Sequence, residues 1–377
     1  MVPDRPVLAI TEAELGDLRT RLAGTRWPAP WPVAGWSAGT DPAELRRLVA
    51  HWASGYDWRA HEAAINALPH HVADIAGTPV HYLRFDGEAP DALPIVLTNG
   101  WPSSFLELTG FARRLATPSE HGGSAADSFT VIVPSLPGFG FSPQRPSLTG
   151  PRQTHDLWHL LMREELGFAR YAAHGGDLGA GITSRLAEAH PDALVGIHLT
   201  AVAGPVAYDE GSLSAQERAY LESAATWSAD EGAYQHQQST RPVTLAYGLA
   251  DSPAGLLAWM VEKYRAWSDC GGEVSSRFSD DFLLTQASLY WFTNTISTSF
   301  RPYYEYREKL TRRVERVDVP TAVAVFPADL TQPPRSWAER TYNVTRYTPM
   351  PRGGHFAAHE EPELLARDLT DFFRELR

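Results

Sequence analysis

Apolar residues recur at helical spacing near the start of the chain. Leu15, Leu18 and Leu22 share one face of residues 11–23, and Thr11 with Glu14 forms a capping box at its start. A second helix is expected from Asp41-Pro42, with proline in the first turn and Leu45, Leu48 and Trp52 turned inward. Between them runs a loop holding Trp27-Pro28, Trp31-Pro32 and Trp36. Residues 1–77 do not form a self-sufficient domain by this pattern. They read as a lasso whose aromatics lie on something larger.

From residue 78 the period shortens. Val80–Leu83, Pro94–Leu97 and Phe129–Val133 are short β-rich runs, each ended by Gly, Pro, Ser or Asn. Helical stretches are expected between them, at residues 104–115 and 153–166. Strands alternating with helices predict an α/β fold, a mostly parallel sheet covered on both faces, over residues 78–205. In such sheets ligands bind at the carboxyl ends of the strands, where the turns after residues 97, 133 and 173 converge. Residues 206–310 lose the alternation and read as an inserted helical cap. The α/β pattern resumes over residues 311–377, with the run Pro320–Phe326 and a last helix from Pro362 to Leu376.

Composition narrows the class. The 377 residues allow one large domain or two to three smaller ones, and 43% hydrophobic residues suffice for a sizeable core. A net charge of −12 without a dense Lys/Arg run argues against nucleic acid and acidic membranes as partners. The single Cys270 excludes a disulfide framework and a cysteine zinc site. His70-His71 is the one adjacent histidine pair and reads as a surface or loop feature. No cationic start precedes an apolar run, and no stretch is long enough to span a membrane. The expectation is a soluble cytoplasmic protein.

The chemistry begins at HGGDLGAG, residues 174–181, where Gly175, Gly176 and Gly179 bracket Asp177 in the spacing of a nucleophile elbow. An ordinary Gly-Gly-Asp turn is the alternative at this point. A carboxylate nucleophile forms an ester that keeps the enzyme's own carbonyl, so water must then attack the enzyme side. That suits opening of an alkyl electrophile. Such a nucleophile needs a later base and the base an orienting acid. Asp329, past the run ending at Phe326, and His355, after Gly353-Gly354, follow in the order nucleophile, acid, histidine of α/β-hydrolases. His359 is a competitor, but it sits in the helical lead-in without the glycine turn.

NGWPSSFLE, PSLPGFGFS, HGGDLGAGI and RGGHFAAHEEPELLA, with TRWP at 25–28 and YDWR at 56–59, resemble the microsomal type of epoxide hydrolase over nearly the whole length. The eukaryotic members carry an N-terminal membrane anchor, which this chain is expected to lack as a soluble bacterial form. The resemblance implies an α/β-hydrolase fold and two cap tyrosines donating to the epoxide oxygen. It places them at Tyr234 and Tyr303, with Tyr304 one residue of slip away. It further implies an oxyanion hole from the backbone N–H groups of Trp101 and Leu178, and substrate contacts at Trp101, Pro102 and Leu178. Asn99 stands where the family has histidine and Leu178 where it has tryptophan. These departures bear on the substrate more than on the mechanism.

The implied reaction is hydrolysis of an epoxide to a vicinal diol, with no cofactor and no metal. The expected partners are a small-molecule epoxide and water, with a homodimer allowed. Most of the aromatics Trp227, Trp259, Trp267, Tyr290 and Trp291 read as core, yet they permit a bulky apolar or aromatic epoxide, and the two departures incline the reading to a biosynthetic intermediate. The rivals are a haloalkane or haloacid dehalogenase and a catalytically silent binding member. Leu178 cannot cup a halide with its side chain. An esterase or lipase would need a serine or cysteine in the elbow.

Overall fold

The structure, a computed structural model, describes residues 8–150 and 152–377. The start of the chain, read above as lacking a cationic segment before an apolar run, lies largely in residues 1–7, outside the described residues.

Eight strands form one sheet: β1 (His70–Ile75), β2 (Thr78–Phe85), β3 (Leu93–Thr98), β4 (Phe129–Pro134), β5 (Tyr171–Gly175), β6 (Leu194–Leu199), β7 (Val317–Val325) and β8 (Tyr342–Pro349). Their order is β1-β2-β4-β3-β5-β6-β7-β8. β1 and β2 pair antiparallel, β2 pairs antiparallel with β4, and every other neighbour is parallel. β5 and β6 are buried along their whole length, as strands covered on both faces must be. The helices Phe105–Ala116, Asp177–Ala189 and Pro362–Arg374 supply the covering. The strand order places β3, β5 and β6 side by side, so the loops leaving their carboxyl ends meet above the middle of the sheet.

One reading is corrected here. His70 and His71 belong to β1, and His70 is buried. Its Nδ1 lies 2.8 Å from His81 Nε2 and its Nε2 2.7 Å from the Ile65 carbonyl. Both ring nitrogens find partners inside the protein, which removes the need for solvent.

Seven helices between Ala215 and Arg307 lie over the carboxyl edge of the sheet as a cap. The N-terminal helices Glu12–Ala23 and Pro42–Ser54 pack against this cap. Trp52 Nε1 donates to Ser288 Oγ at 3.0 Å, and Thr40 Oγ1 to the Ala258 carbonyl at 2.7 Å. Leu15, Leu18 and Leu22 are each buried, worth roughly 1.5–3 kcal/mol apiece, against about 0.2–1 kcal/mol for an exposed pair such as Arg21–Asp251. The apolar stripe therefore holds the arm in place. Of the loop tryptophans, Trp27 packs under Arg46 and Trp36 under Arg265, whereas Trp31 stays 74% exposed and covers nothing.

Candidate active site

Asp177 is the first residue of the helix that follows β5, and its φ is +48°. That left-handed conformation costs a non-glycine residue about 1–2 kcal/mol, and it turns the carboxylate out of the elbow. The turn closes only because its neighbours lack side chains. A Cβ on Gly179 would sit 2.0 Å from the Thr98 carbonyl of β3, and one on Gly100 would sit 2.3 Å from Asp177 Cβ. The glycine pattern of the octapeptide is thus a packing requirement.

The two carboxylate oxygens face different partners. The Trp101 N–H, after β3, donates to Asp177 Oδ1 at 2.9 Å. Oδ2 lies 3.5 Å from His355 Nε2. The Leu178 N–H is in the first turn of the helix, where N–H groups have no intrahelical acceptor. On the far side of the imidazole, His355 Nδ1 lies 2.6 Å from Asp329 Oδ1, which also accepts the Leu330 N–H at 2.7 Å. The histidine loop is held from the cap: His355 N–H donates to the Trp267 carbonyl at 2.8 Å, and Gly353 N–H to Asp269 Oδ2 at 2.9 Å. Burial alone would lower the His355 pKa, but the Asp329 and Asp177 carboxylates outweigh it and hold the imidazole well above its usual value.

Two spaces open on this constellation. A cavity of about 570 Å³ is lined by Asp177, Leu178, Asp329 and His355 from the sheet side and by Trp227, Tyr234 and Tyr303 from the cap. Tyr234 and Tyr303 are both buried, with rings 6.1 Å apart. Burial, with the Asp177 carboxylate next, pushes both phenols up, so both stay protonated. The Tyr303 hydroxyl has no hydrogen-bond partner among the described residues. Tyr304 is half-buried and does not line the cavity. Behind Asp177 a chamber of about 30 Å³ is walled by Asn99, Trp101, Ser103, Glu107, His174 and His355, among others. It is large enough for one or two water molecules and carries the polar partners water needs.

Some contacts implied by the resemblance fall elsewhere. Trp101 is fully buried beneath Tyr234, its ring stacked at 5.5 Å, and borders the small chamber, not the cavity. Pro102 is buried and borders neither space. Only Leu178 of the three reaches the cavity, because the packing of Trp101 against cap aromatics turns that loop inward. Of the five aromatics expected to be mostly core, Trp227 lines the cavity, while Trp267 and Tyr290 are core, and Tyr290 donates to the Ser103 carbonyl at 2.8 Å. Glu107 escaped sequence reasoning although it closes the NGWPSSFLE motif; burial pushes its carboxyl up to about 7. Among the described residues no group of three or more His, Cys, Asp or Glu side chains is arranged to hold a metal ion.

On the fold the molecule is an α/β-hydrolase: residues 93–219 match the family described as alpha/beta hydrolase fold. Residues 4–108 match the family described as epoxide hydrolase N terminus, running past the lasso into the first helix of the sheet. A putative epoxide hydrolase of Stigmatella aurantiaca is 41% identical over 98% of this chain and 84% of its own length. Epoxide hydrolase 1 of Oryctolagus cuniculus is 32% identical over 96% of this chain and 86% of its own. Among solved structures, the epoxide hydrolase from Aspergillus niger superposes with a TM-score of 0.84 at 31% identity, covering 98% of this chain and 95% of that one. The juvenile hormone epoxide hydrolase of Bombyx mori gives 0.88 at 28% identity, covering 98% and 93%. The chain belongs to the epoxide hydrolase family and is an enzyme of that class. No helix of the described residues is long and apolar enough to cross a membrane.

Proposed function

We propose that the chain hydrolyses its epoxide in two steps through an ester on Asp177. The observation that carries this reading is the division of labour at that carboxylate. Oδ1 is held by the Trp101 N–H at 2.9 Å, while Oδ2 is left towards the cavity and His355. Oδ2 attacks an epoxide carbon; the ring C–O bond breaks, and the departing oxygen takes hydrogen bonds from Tyr234 and Tyr303. A phenol still protonated at neutral pH suits that task.

The proton balance follows from the charges. The two carboxylates beside His355 raise its pKa and so favour a protonated imidazole in the resting site. Esterification removes the charge of Asp177, one of the two that hold the proton on. The proton released equals the one the alkoxide needs to become an alcohol. The neutral imidazole, oriented by Asp329, then takes a proton from water as the oxygen adds to the Asp177 carbonyl carbon. Oδ1 becomes the oxyanion, stabilised by the N–H groups of Trp101 and Leu178. Collapse breaks the bond from that carbon to Oδ2, which takes the proton held by His355. The added hydroxyl passes its own proton to the imidazole, so that the diol leaves and the Asp177 carboxylate and protonated His355 are restored. The small chamber behind the carbonyl supports this order, since it offers water a place opposite the substrate.

The test is a single turnover in heavy-oxygen water. The label should enter Asp177, and the first diol should carry the enzyme's own oxygen; label found only in the diol excludes the ester. The 570 Å³ cavity, with Leu178, Trp227 and Ile182 in its wall, supports a bulky substrate with apolar bulk.

A further inference from the structure

We infer that the substrate carries a carboxylate, and that Arg185 binds it; this rests on the ring-opening reading above. Arg185 lies on the same helix as Asp177, eight residues on, and borders the same cavity. Its guanidinium folds back towards the helix start: a Cβ on Gly181 would lie 3.5 Å from Nη1 and 3.6 Å from Nη2. The guanidinium therefore sits one helical turn, about 6 Å along the axis, beyond the nucleophile.

A half-buried guanidinium normally spends its five donors on carboxylates or carbonyls. Arg185 spends none: among the described residues it makes no ion pair and no hydrogen bond. The acids nearby are already engaged. Glu305 accepts from Arg145 at 2.6 Å on one oxygen and from Arg301 at 2.6 Å on the other. Glu188 accepts the Glu315 and Arg316 N–H groups at 2.6 and 3.1 Å on one oxygen and lies 3.9 Å from Arg312 with the other. Asp177 and Asp329 flank His355.

A second polar group in the same wall is also unmatched. His155 borders the cavity, and its buried Nδ1 has no hydrogen-bond partner among the described residues. Burial keeps its imidazole neutral by lowering its pKa. A cation with a free fork, beside a neutral imidazole and bordering the cavity, fits one bidentate carboxylate. The spacing to Asp177 matches an epoxide and a carboxylate held at opposite ends of a benzene-sized spacer.

The experiment compares kcat/KM for 4-carboxystyrene oxide, its methyl ester and styrene oxide in the wild type, Arg185→Met and Arg185→Lys. The wild type should prefer the carboxylate over the ester by tenfold or more, mainly through KM. Arg185→Met should bring that ratio to about one, and Arg185→Lys should restore part of it. A wild-type ratio of one or less, or a preference kept in Arg185→Met, overturns the inference. If the methionine variant does not fold, the wild type decides alone. There 4-ethylbenzoate should inhibit styrene oxide hydrolysis at a tenfold lower concentration than 4-ethylbenzamide, and equal inhibition sinks the idea. Should no epoxide yield diol, the ring-opening reading has failed, and calorimetric binding of 4-ethylbenzoate against the amide then decides Arg185 separately.

Discussion

On the proposed two-step route, replacing Asp329 by Asn should separate ester formation from ester hydrolysis. Asp329 Oδ1 accepts from both His355 Nδ1 and the Leu330 N–H. An asparagine must therefore keep its carbonyl oxygen at that position, or the Leu330 N–H faces an amide NH₂. The histidine keeps its tautomer and orientation, and only the charge is lost. A unit charge about 4 Å from the imidazolium in surroundings of effective dielectric near 20 contributes about 4 kcal/mol, which corresponds to roughly 10²–10³ in the base-dependent step. Ring opening by Asp177 does not use that base and should slow by less than about tenfold. Rapid-quench kinetics with styrene oxide should show one equivalent of epoxide consumed per enzyme, followed by a slow steady state. Intact-protein mass spectrometry should show a mass gain of one substrate. Asp329→Ala, which also leaves the Leu330 N–H and Nδ1 without an acceptor, should fall further. Equal slowing of epoxide consumption and diol release, with no ester accumulating, would refute the assignment of Asp329 and His355 to the second step.

Tyr303→Phe should cut the ring-opening rate roughly 10²-fold, as for loss of a positioned acid. It should leave the melting temperature unchanged or raised, because the hydroxyl it removes is buried without a partner; a large loss of stability would show that the hydroxyl is structural. Glu107→Gln should stabilise the fold at pH 8 and not at pH 4. The wild-type carboxyl, pushed up to about 7, holds its proton in the folded state after the unfolded chain has released it. Wild-type stability accordingly falls as pH rises from about 4.5 to 7, by up to about 3 kcal/mol. Denaturant titrations at the two pH values check the sign. Asp368 acts oppositely: His198, Thr348 and Arg346 overcome its burial and hold its carboxyl at about 2. Its contribution of about 2 kcal/mol is present at neutral pH and fades as pH falls from about 4 to 2, a loss that Asp368→Asn should abolish. Gly179→Ala should cost roughly 3 kcal/mol or fail to give soluble protein, since its Cβ would meet the Thr98 carbonyl at 2.0 Å.

The elements that were legible in the sequence are those whose burial leaves a periodic trace. β3 and β4 are apolar runs because both faces are covered, and the helix Glu12–Ala23 shows its three leucines on one face. β8 escaped notice because it is an edge strand whose burial alternates at its start and then gives way to partial exposure, and β1 because it opens on two histidines. At the site, Asp177 and His355 carry local motifs: glycines around the first, a glycine pair before the second. Glu107, Arg185 and the chamber carry none, since their environment is made by segments distant in the chain. The same holds for Trp101 and Pro102. The resemblance implies substrate contact at both, whereas Trp101 packs against the cap aromatics Tyr234, Phe300 and Tyr303 and neither residue borders the cavity.

The bonds between cap and histidine loop have a mechanical consequence. The Trp267 carbonyl receives the His355 N–H, Asp269 receives the Gly353 N–H, and Arg277 bridges Asp269 at 3.2 Å to Glu361 at 3.0 Å beyond the loop. Lifting this part of the cap would drag His355 out of register with Asp177. The stretch around Trp267 therefore works as a fixed jaw. Epoxide and diol are then expected to pass at an opposite rim, bordered by Thr154, Arg307 and Thr311 of the cavity lining. A crosslink between cap and histidine loop on the Trp267 side should leave turnover intact, while one across the opposite rim should stop it.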